Sequence, residues 1–505
     1  MKKIVDKFVD GCVGIVNKIL PDAFIFAALL TFVVFIFAVI VAFNFATPAA
    51  NLLSAEGGTG FFNTILSAIY KGWYGGFWSL LAFTMQMALI IVTGDIFANT
   101  PQMKKVMKAL ARIPKTPGQA IAFEAFFSIF VSFFQWGAAL IMAGLLAKEI
   151  ARNLSGVHFA LLVAAGYLGL GMWHGGFSGS IPLKLPDGSY IAQTGVAGMK
   201  IPFKFTLFAW FNLFNYIGGM ILLPLAFLGL HPKGEKVVSC DPALLVEEDD
   251  TEKVLPKEEM HINDKLNRAP WIAYGLCFFA AVSIVLYFVI MIVKKQLFSL
   301  SIDFVNFLFL FLALGLYGRP NKLVTAVTRS ASGAAGVMLQ FPFYGGISGL
   351  MTYDGGTAAN NSLAEIVSNF FKNISTPKTY PLLTFLSAGI INFFIPSGGG
   401  QWAVQGPIVM PAAHSIAVEE GGTYVLGTNA AGKVAIVDGD DKYQAYLGKS
   451  AMALAWGDSW TNLIQPFWAL PLLAIANLEA KDIMGYCVLG LLILGVWVII
   501  GFLIF

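Results

Sequence analysis

Two strings decide how this chain folds: FFQWGAAL at Phe133–Leu140 and GGGQWAVQ at Gly398–Gln405. Each lies in the middle of a long apolar stretch, 119–148 and 381–412, and each interrupts it. The first stretch breaks at Gln135-Trp136-Gly137. The second breaks at Pro396-Ser397-Gly398-Gly399-Gly400. Both are longer than the about 20 residues that one helical crossing needs. A polar or glycine-rich break halfway therefore reads as two half-helices joined by a tip, a re-entrant hairpin that enters and leaves on one side. Non-helical backbone at such depth is tolerated only where protein or water satisfies it.

The flanks of these hairpins carry opposite charge. Lys104, Lys105, Lys108, Arg112 and Lys115 precede the first, and Lys148 and Arg152 follow it. Positive loops stay in the cytoplasm, so both ends of 119–148 are expected there. The loop 413–446 after the second hairpin is acidic, with Glu419, Glu420, Asp438, Asp440 and Asp441. Both ends of 381–412 are expected outside.

The rest of the chain fits a membrane setting. Of 505 residues, 57% are hydrophobic and 12% charged, against about 25% charged in soluble domains. Segments such as 23–43 and 483–505 are continuously apolar, which suits helices and not the alternating strands of a barrel. Candidate crossings are 22–43, 76–97, 157–183, 203–230, 271–293, 300–318, 333–351, 449–473 and 483–505. Nine crossings and two hairpins put the N-terminus inside and the C-terminus outside a bacterial inner membrane. Residues 1–21 read as an amphipathic helix lying on the membrane surface, with Ile4, Val5, Phe8, Val9 and Cys12 on one face and Lys2, Lys3, Asp6 and Lys7 off it. The apolar run after Pro21 exceeds the about 7–15 residues of a signal-peptide core. A net charge of +3 without a basic, aromatic-laced patch excludes nucleic acid as a partner. Cys12, Cys240, Cys277 and Cys487 show no metal or disulfide spacing.

The two halves resemble one another. Gln135-Trp136 matches Gln401-Trp402. WHGGFSGSIP at 173–182 matches WGDSWTNLIQP at 456–466, pairing Trp173 with Trp456, Phe177 with Trp460 and Ser178 with Thr461. Gln86 in FTMQMAL parallels Gln340 in VMLQFPF. A first repeat, 22–230, is followed by a cytoplasmic linker, 231–270, a single connecting helix, 271–299, and a second repeat, 300–505. The odd connecting crossing inverts the second repeat. Inverted repeats with broken helices are the build of secondary transporters, with cargo held near the midplane.

Several residues carry the candidate chemistry. The Ser397–Gly400 tip offers a hydroxyl, backbone N–H groups and room for close approach. Gln135 and Gln401 offer side-chain amides. Asp458 is the one acid in its span, and an intramembrane acid is a functional candidate by default. It could hold sodium beside oxygens of Ser459, Thr461 and Asn462, or carry a proton. His174 is a weaker partner for that role. Trp173, Trp456, Phe177 and Trp460 could wall a pocket for a short acyl tail. Glu124 reads as an interfacial group at the start of the first hairpin. No Lys or Arg occurs at either tip, which favours a monocarboxylate over a citrate-like cargo. Apart from a transported sodium, no metal or cofactor is expected.

The FFQWGA and NFFIPSGGGQWAVQGP hairpins, with the GMWHGGFSGSIPL and AWGDSWTNLIQPFWALP spans, resemble the short-chain fatty acid transporter family, part of a wider ion-transporter superfamily. The resemblance covers nearly the whole chain. It implies an all-α polytopic protein with scaffold and transport domains, elevator motion, a homodimer, and uptake of butyrate- or acetoacetate-like monocarboxylates by proton or sodium symport. The residues themselves place Gln135, Trp136, Gly137, Ser397, Gly398, Gly399, Gly400, Gln401, Trp402, Trp173, Ser178, Trp456 and Thr461 around the expected substrate, and Asp458, Asn462 and His174 around the ion. The alternatives are a cation/proton antiporter or a carrier of another small organic anion. An enzyme is disfavoured because no HExxH occurs, and GFSGS at 176–180 sits inside a span and not on a strand-turn-helix. No charged ring suggests a channel, and no GxxxxGK[ST] suggests an ATP-driven pump.

Overall fold

The apolar run after Pro21 becomes a single helix, α1, Ala23–Phe43, with Phe32, Ile36 and Phe37 exposed along one side. The structure is a computed structural model and describes residues 11, 14, 23–43, 55–186, 200–245, 261–293, 302–354, 362–396, 398–428 and 434–505. The surface helix expected over 1–21 and the tip residue Ser397 fall outside the described residues, as does much of the 231–270 linker.

The first half continues with α2, Ala55–Ser67, a π-helical stretch Ala68–Tyr74, and α3, Leu81–Ala98. Then come α4, Pro101–Ala111, α5, Pro117–Phe134, α6, Trp136–Asn153, α7, Phe159–Tyr167, α8, Ser180–Lys184, and α9, Trp210–Leu228. A lone helix α10, Pro270–Val293, follows. The second half holds α11, Ile302–Tyr317, α12, Pro320–Ser330, α13, Ala335–Met351, α14, Leu363–Asn373, α15, Tyr380–Asn392, and α16, Gly398–Glu419. It ends with α17, Asp441–Thr461, α18, Pro466–Ala476, and α19, Ala480–Ile504.

Local chemistry sets the starts of the hairpin elements. Thr100 and Thr116 accept hydrogen bonds from Met103 N and Gln119 N, each with proline as the first helical residue. At Gln135 the backbone turns extended (φ −158°, ψ 111°), and the Gln135 side-chain oxygen caps α6 through Ala138 N at 2.6 Å. A methyl added at Gly166 on α7 would stand 2.9 Å from both Glu124 Oε1 of α5 and Ala143 Cβ of α6. The two arms therefore fold back side by side. The second hairpin shows the same reversal. Gln401 pairs with Ala388 O, Gln405 with Ser387 Oγ, and Tyr380 OH with Val409 O. Positions thus descend along α15 as they rise along α16.

The packing repeats when the halves are exchanged. α1 packs on α13, and α11 packs on α3. α4 packs on α6, and α14 on α16. α18 packs on α6, and α8 on α16. Helix α10 is outside this pairing. It packs on α11 and leaves Phe278, Phe279, Ile292 and Val293 exposed.

Three features differ from the expectation. Among the described residues, six helices are long and apolar enough to cross a membrane, and the bent pair over 159–184 makes a seventh. One of the six, Pro117–Phe134, is a hairpin arm, and the expected crossings 300–318, 333–351 and 449–473 are not reached by this measure because α11, α13 and α18 are short and α17 carries several polar residues. The segment 76–97 is part of a longer run, Phe61–Ala98, that widens into a π-helical stretch and turns at its centre. The acidic loop 413–446 holds a β-hairpin, β1, Tyr424–Thr428, and β2, Val434–Gly439, paired antiparallel with a register shift at Val425/Leu426. Its Tyr, Val and Ile content suits a pleated strand better than a helix.

Candidate functional site

The centre of the molecule is the non-α segment between α7 and α8, because both hairpin tips touch it. After Tyr167 the chain tightens into 3₁₀ turns at Leu168–Gly171 and Trp173–Gly175 and then runs extended through Gly176. On one side it meets the first tip. Ser178 N donates to Phe133 O at 3.0 Å, and Trp136 N donates to Ser178 Oγ at 2.8 Å. On the other side it meets the second tip. A methyl on Gly398 would lie 2.4 Å from His174 Cε1 and 2.6 Å from Ser180 Oγ, so only glycine lets the tip sit there. The N-termini of α6 and α16, both positive dipole ends, are thereby brought to one segment.

Below the second tip lies a buried polar cluster. Asp458 Oδ2 is 2.9 Å from His174 Nδ1, with both side chains essentially unexposed. The same Nδ1 lies 3.0 Å from Ala455 O, and His174 Nε2 is 3.1 Å from Ser180 Oγ. The Asp458 oxygens make no well-angled hydrogen bond. Their contact with His174 is one of proximity, with the Nδ1 hydrogen directed at the Ala455 carbonyl. Helix α17 runs unbroken through Asp458, and the interruption begins at Asn462 with a 3₁₀ turn to Ile464. Asp458 thus lies one helical turn before the break and not in it.

Thr461 and Asn462 turn toward the hairpin. Thr461 Oγ1 donates to Gly389 O at 2.9 Å, and Asn462 Oδ1 accepts from Asn392 Nδ2 at 2.7 Å. Asn392 also reaches Asp458 O and Thr461 Oγ1, and Gln465 donates to Asn392 O. Gln401 spends its Nε2 on Ala388 O and Gln405 Oε1, both at 2.7 Å. What it has left is a buried oxygen, as have Asn392 and Gln465. Gln401 is therefore placed to accept and not to donate. At the first tip the roles are reversed, since Gln135 spends its oxygen as the helix cap and keeps Nε2 for donation.

The tryptophans divide into two groups. Trp136, Trp173 and Trp468 form one cluster, with ring centroids 4.8 to 6.3 Å apart, and Trp173 stacks on His174 at 3.6 Å. The indole N–H groups of Trp173 and Trp468 are buried without a partner. Trp456 lies elsewhere, bonded to Asn212 Oδ1 at 2.8 Å and packed against Gly175. Trp402 is fully buried in α16, and Gly137 is packed close to Ile90. Trp460 packs on Phe385 and Phe177 on Phe133.

Sequence reading passed over Asn392, Gln405, Gln465, Tyr167 and Trp468. Tyr167 OH ties the two breaks together by donating to Asn462 O and Gln465 O. Asn392 and Gln465 did carry a signal, a lone amide beside a break in an apolar run. No group of three or more His, Cys, Asp or Glu side chains able to hold a metal occurs among the described residues.

At the base of the first hairpin is a cavity of about 560 Å³ whose walls include Asp95, Lys104, Lys148, Glu149, Arg152 and Arg329. Residues before and after the hairpin share it, so the two ends of the hairpin lie together, about a helix length from the tips.

A family described as short chain fatty acid transporter matches residues 4–436 and 421–505. A short-chain fatty acid transporter of Escherichia coli K12 is 36% identical over 499 residues, covering 97% of each chain. One of Haemophilus influenzae is 35% identical over 491 residues, covering 96% of each. The crystal structure of the YdaH transporter of Alcanivorax borkumensis aligns over 96% of this chain and 97% of its own, with 12% identity and a TM-score of 0.37, a likeness too slight to bear on the fold.

Proposed function

Because this chain belongs to the short-chain fatty acid transporter family, we propose that it takes up monocarboxylates such as butyrate and acetoacetate across a bacterial inner membrane by symport with sodium or protons. It is a membrane transport protein and not an enzyme. The observation that carries the reading is the meeting of two helix N-termini, those of α6 and α16, on one broken segment. Helix N-termini attract anions through their unpaired N–H groups and dipole. None of the side chains that line this meeting is Lys or Arg, so its positive field is partial. That suits one carboxylate better than two or three.

In this reading the carboxylate lies near Gln135 Nε2, Ser178 and the Gly398–Gly400 turn. Its short tail lies against Trp136, Trp173 and Trp468. The buried oxygens of Asp458, Gln401, Asn392 and Gln465 form the cation side, with His174, Thr461 and Asn462 as its frame. Pairing the anion with a cation lowers the charge carried through a low-dielectric path. The hairpins are re-entrant, the first from the cytoplasm and the second from outside, and the repeats are inverted. Elevator motion of the hairpin-bearing part, in a homodimer, would expose the tips to each side in turn.

The His174–Asp458 contact also suits a second reading, a cation/proton antiporter. Proteoliposomes separate the two. Labelled acetoacetate and butyrate are offered under imposed sodium or proton gradients, with entry into protein-free vesicles subtracted. Gradient-driven accumulation supports symport. Proton efflux on addition of sodium, with no acid moved, would replace it with the antiporter.

A further inference from the structure

We propose that Glu124 is the group that carries a coupled proton, an assignment resting on the monocarboxylate reading above. Sequence reading placed Glu124 at an interface, but the structure buries it completely. Its side chain is 0% exposed, and neither carboxyl oxygen has a hydrogen-bond partner. It is wedged where α5, α6 and α7 meet, close against Gly166 and Ala143.

The elements packed on α5 bring no counter-charge to it. Helix α6 carries Lys148, Glu149 and Arg152 only toward its C-terminal end, where they line the basal cavity. The one titratable side chain within α7 is Tyr167, whose hydroxyl is committed to Asn462 O and Gln465 O. On α9 it is Tyr216, which donates to Ile129 O at 2.9 Å. The 3₁₀ turn brings His174, already set against Asp458, Ala455 and Ser180.

A carboxylate without water, donors or a cation is far costlier to bury than the neutral acid. This arrangement therefore holds Glu124 with its proton on. When the arms of the first hairpin part from α7, water reaches Glu124. Its O–H bond then breaks, the electron pair stays on the carboxylate, and the proton passes to water on that side. Reclosure requires a proton to be taken up again. One proton moving with one carboxylate makes the loaded transfer electroneutral.

The test compares wild type with Glu124→Gln, which keeps shape and loses the exchangeable proton. Acetoacetate serves as cargo in proteoliposomes, corrected for passive entry of the free acid. With one proton per anion, a one-unit inward proton gradient sustains about tenfold accumulation. The variant is expected to fall to about simple equilibration while still exchanging acetoacetate across the membrane at equal pH. Glu124→Asp, which retains a titrating group, is expected to restore accumulation with a displaced pH profile. Accumulation by Glu124→Gln at the wild-type level would overturn the assignment. So would an unchanged pH profile in Glu124→Asp, which also serves if the Gln variant does not fold. Absence of acetoacetate movement in wild type would instead overturn the transport reading itself.

Discussion

Replacing Gly398 by alanine tests how the second tip is seated. The new Cβ would stand 2.4 Å from His174 Cε1, 2.5 Å from His174 Nε2 and 2.6 Å from Ser180 Oγ. Relaxed carbon contacts lie at about 3.5–4.0 Å, so roughly 1 Å must be found. His174 has little freedom to give it. Both its nitrogens are engaged, and Trp173 stacks on it at 3.6 Å. The tip must therefore withdraw, and overpacking of this kind costs about 1–3 kcal/mol. Alanine recovers at most about 1 kcal/mol of helix propensity, which leaves a net penalty of up to about 2 kcal/mol and of about 1 kcal/mol at mid-range. That penalty falls on the seated conformation and not on the fold as a whole, so the seated population drops by about fivefold. Acetoacetate counterflow should fall by a similar factor, with little change in thermal unfolding in detergent. Gly275→Ala is the matched control. Nothing lies within 4 Å of its added methyl, and it should transport normally. Equal counterflow in the two variants would refute the seating of Gly398 on His174.

Other outcomes follow from the same geometry. Cysteines at Lys115→Cys and Arg152→Cys should both resist an impermeant label added outside the cell, whereas labelling at one alone would make 119–148 a crossing. Asp458→Asn should weaken the response of uptake to sodium while proton-driven accumulation survives, and Asp441→Asn, at an exposed pair with Lys204, should change neither. Burial holds the His231 imidazole below its usual range, and His231 Nε2 accepts from His158 N at 3.1 Å. A depressed histidine stabilises above its unfolded value, about 6.5, and that contribution is lost as pH falls through the folded value. Tryptic cleavage at Lys233 and Lys236, normalised to an unfolded peptide, should therefore accelerate below about pH 6.5. His231→Gln, whose acceptor does not titrate, should reduce that dependence, leaving the part due to His158, which accepts from Val238 N.

The broad architecture was legible because membrane folding writes itself into composition. A long apolar run broken by QW or GGG can be satisfied only by a helix that stops and restarts, and α5–α6 and α15–α16 do so. Contacts such as α1 on α13 and α11 on α3 recur when the two halves are exchanged. Less visible was anything decided by the partner of a segment. The π-helical stretch Ala68–Tyr74 packs on α13 so closely that a methyl at Gly349 would meet Gly72 O at 2.2 Å. Nothing in 68–74 alone announces that. The β-hairpin at 424–439 was concealed by acidic residues that mark a loop without saying whether it pairs with itself.

At the site, residue type was a better guide than position. Gln135 and Gln401 look equivalent in sequence because both begin the second arm of a hairpin. Their hydrogen bonds make them chemical opposites. Gln135 turns its oxygen back to cap α6, which leaves a donor. Gln401 turns its amide to Ala388 and Gln405, which leaves an acceptor. The difference comes from Gln405, one helical turn beyond Gln401, where the first hairpin has Ala139 in the matching place. One added amide thus leaves a donor at the first tip and an acceptor at the second. If the asymmetry sorts the two cargoes, Gln405→Ala should release the Gln401 amide and weaken the dependence on the coupling cation more than the apparent affinity for acetoacetate.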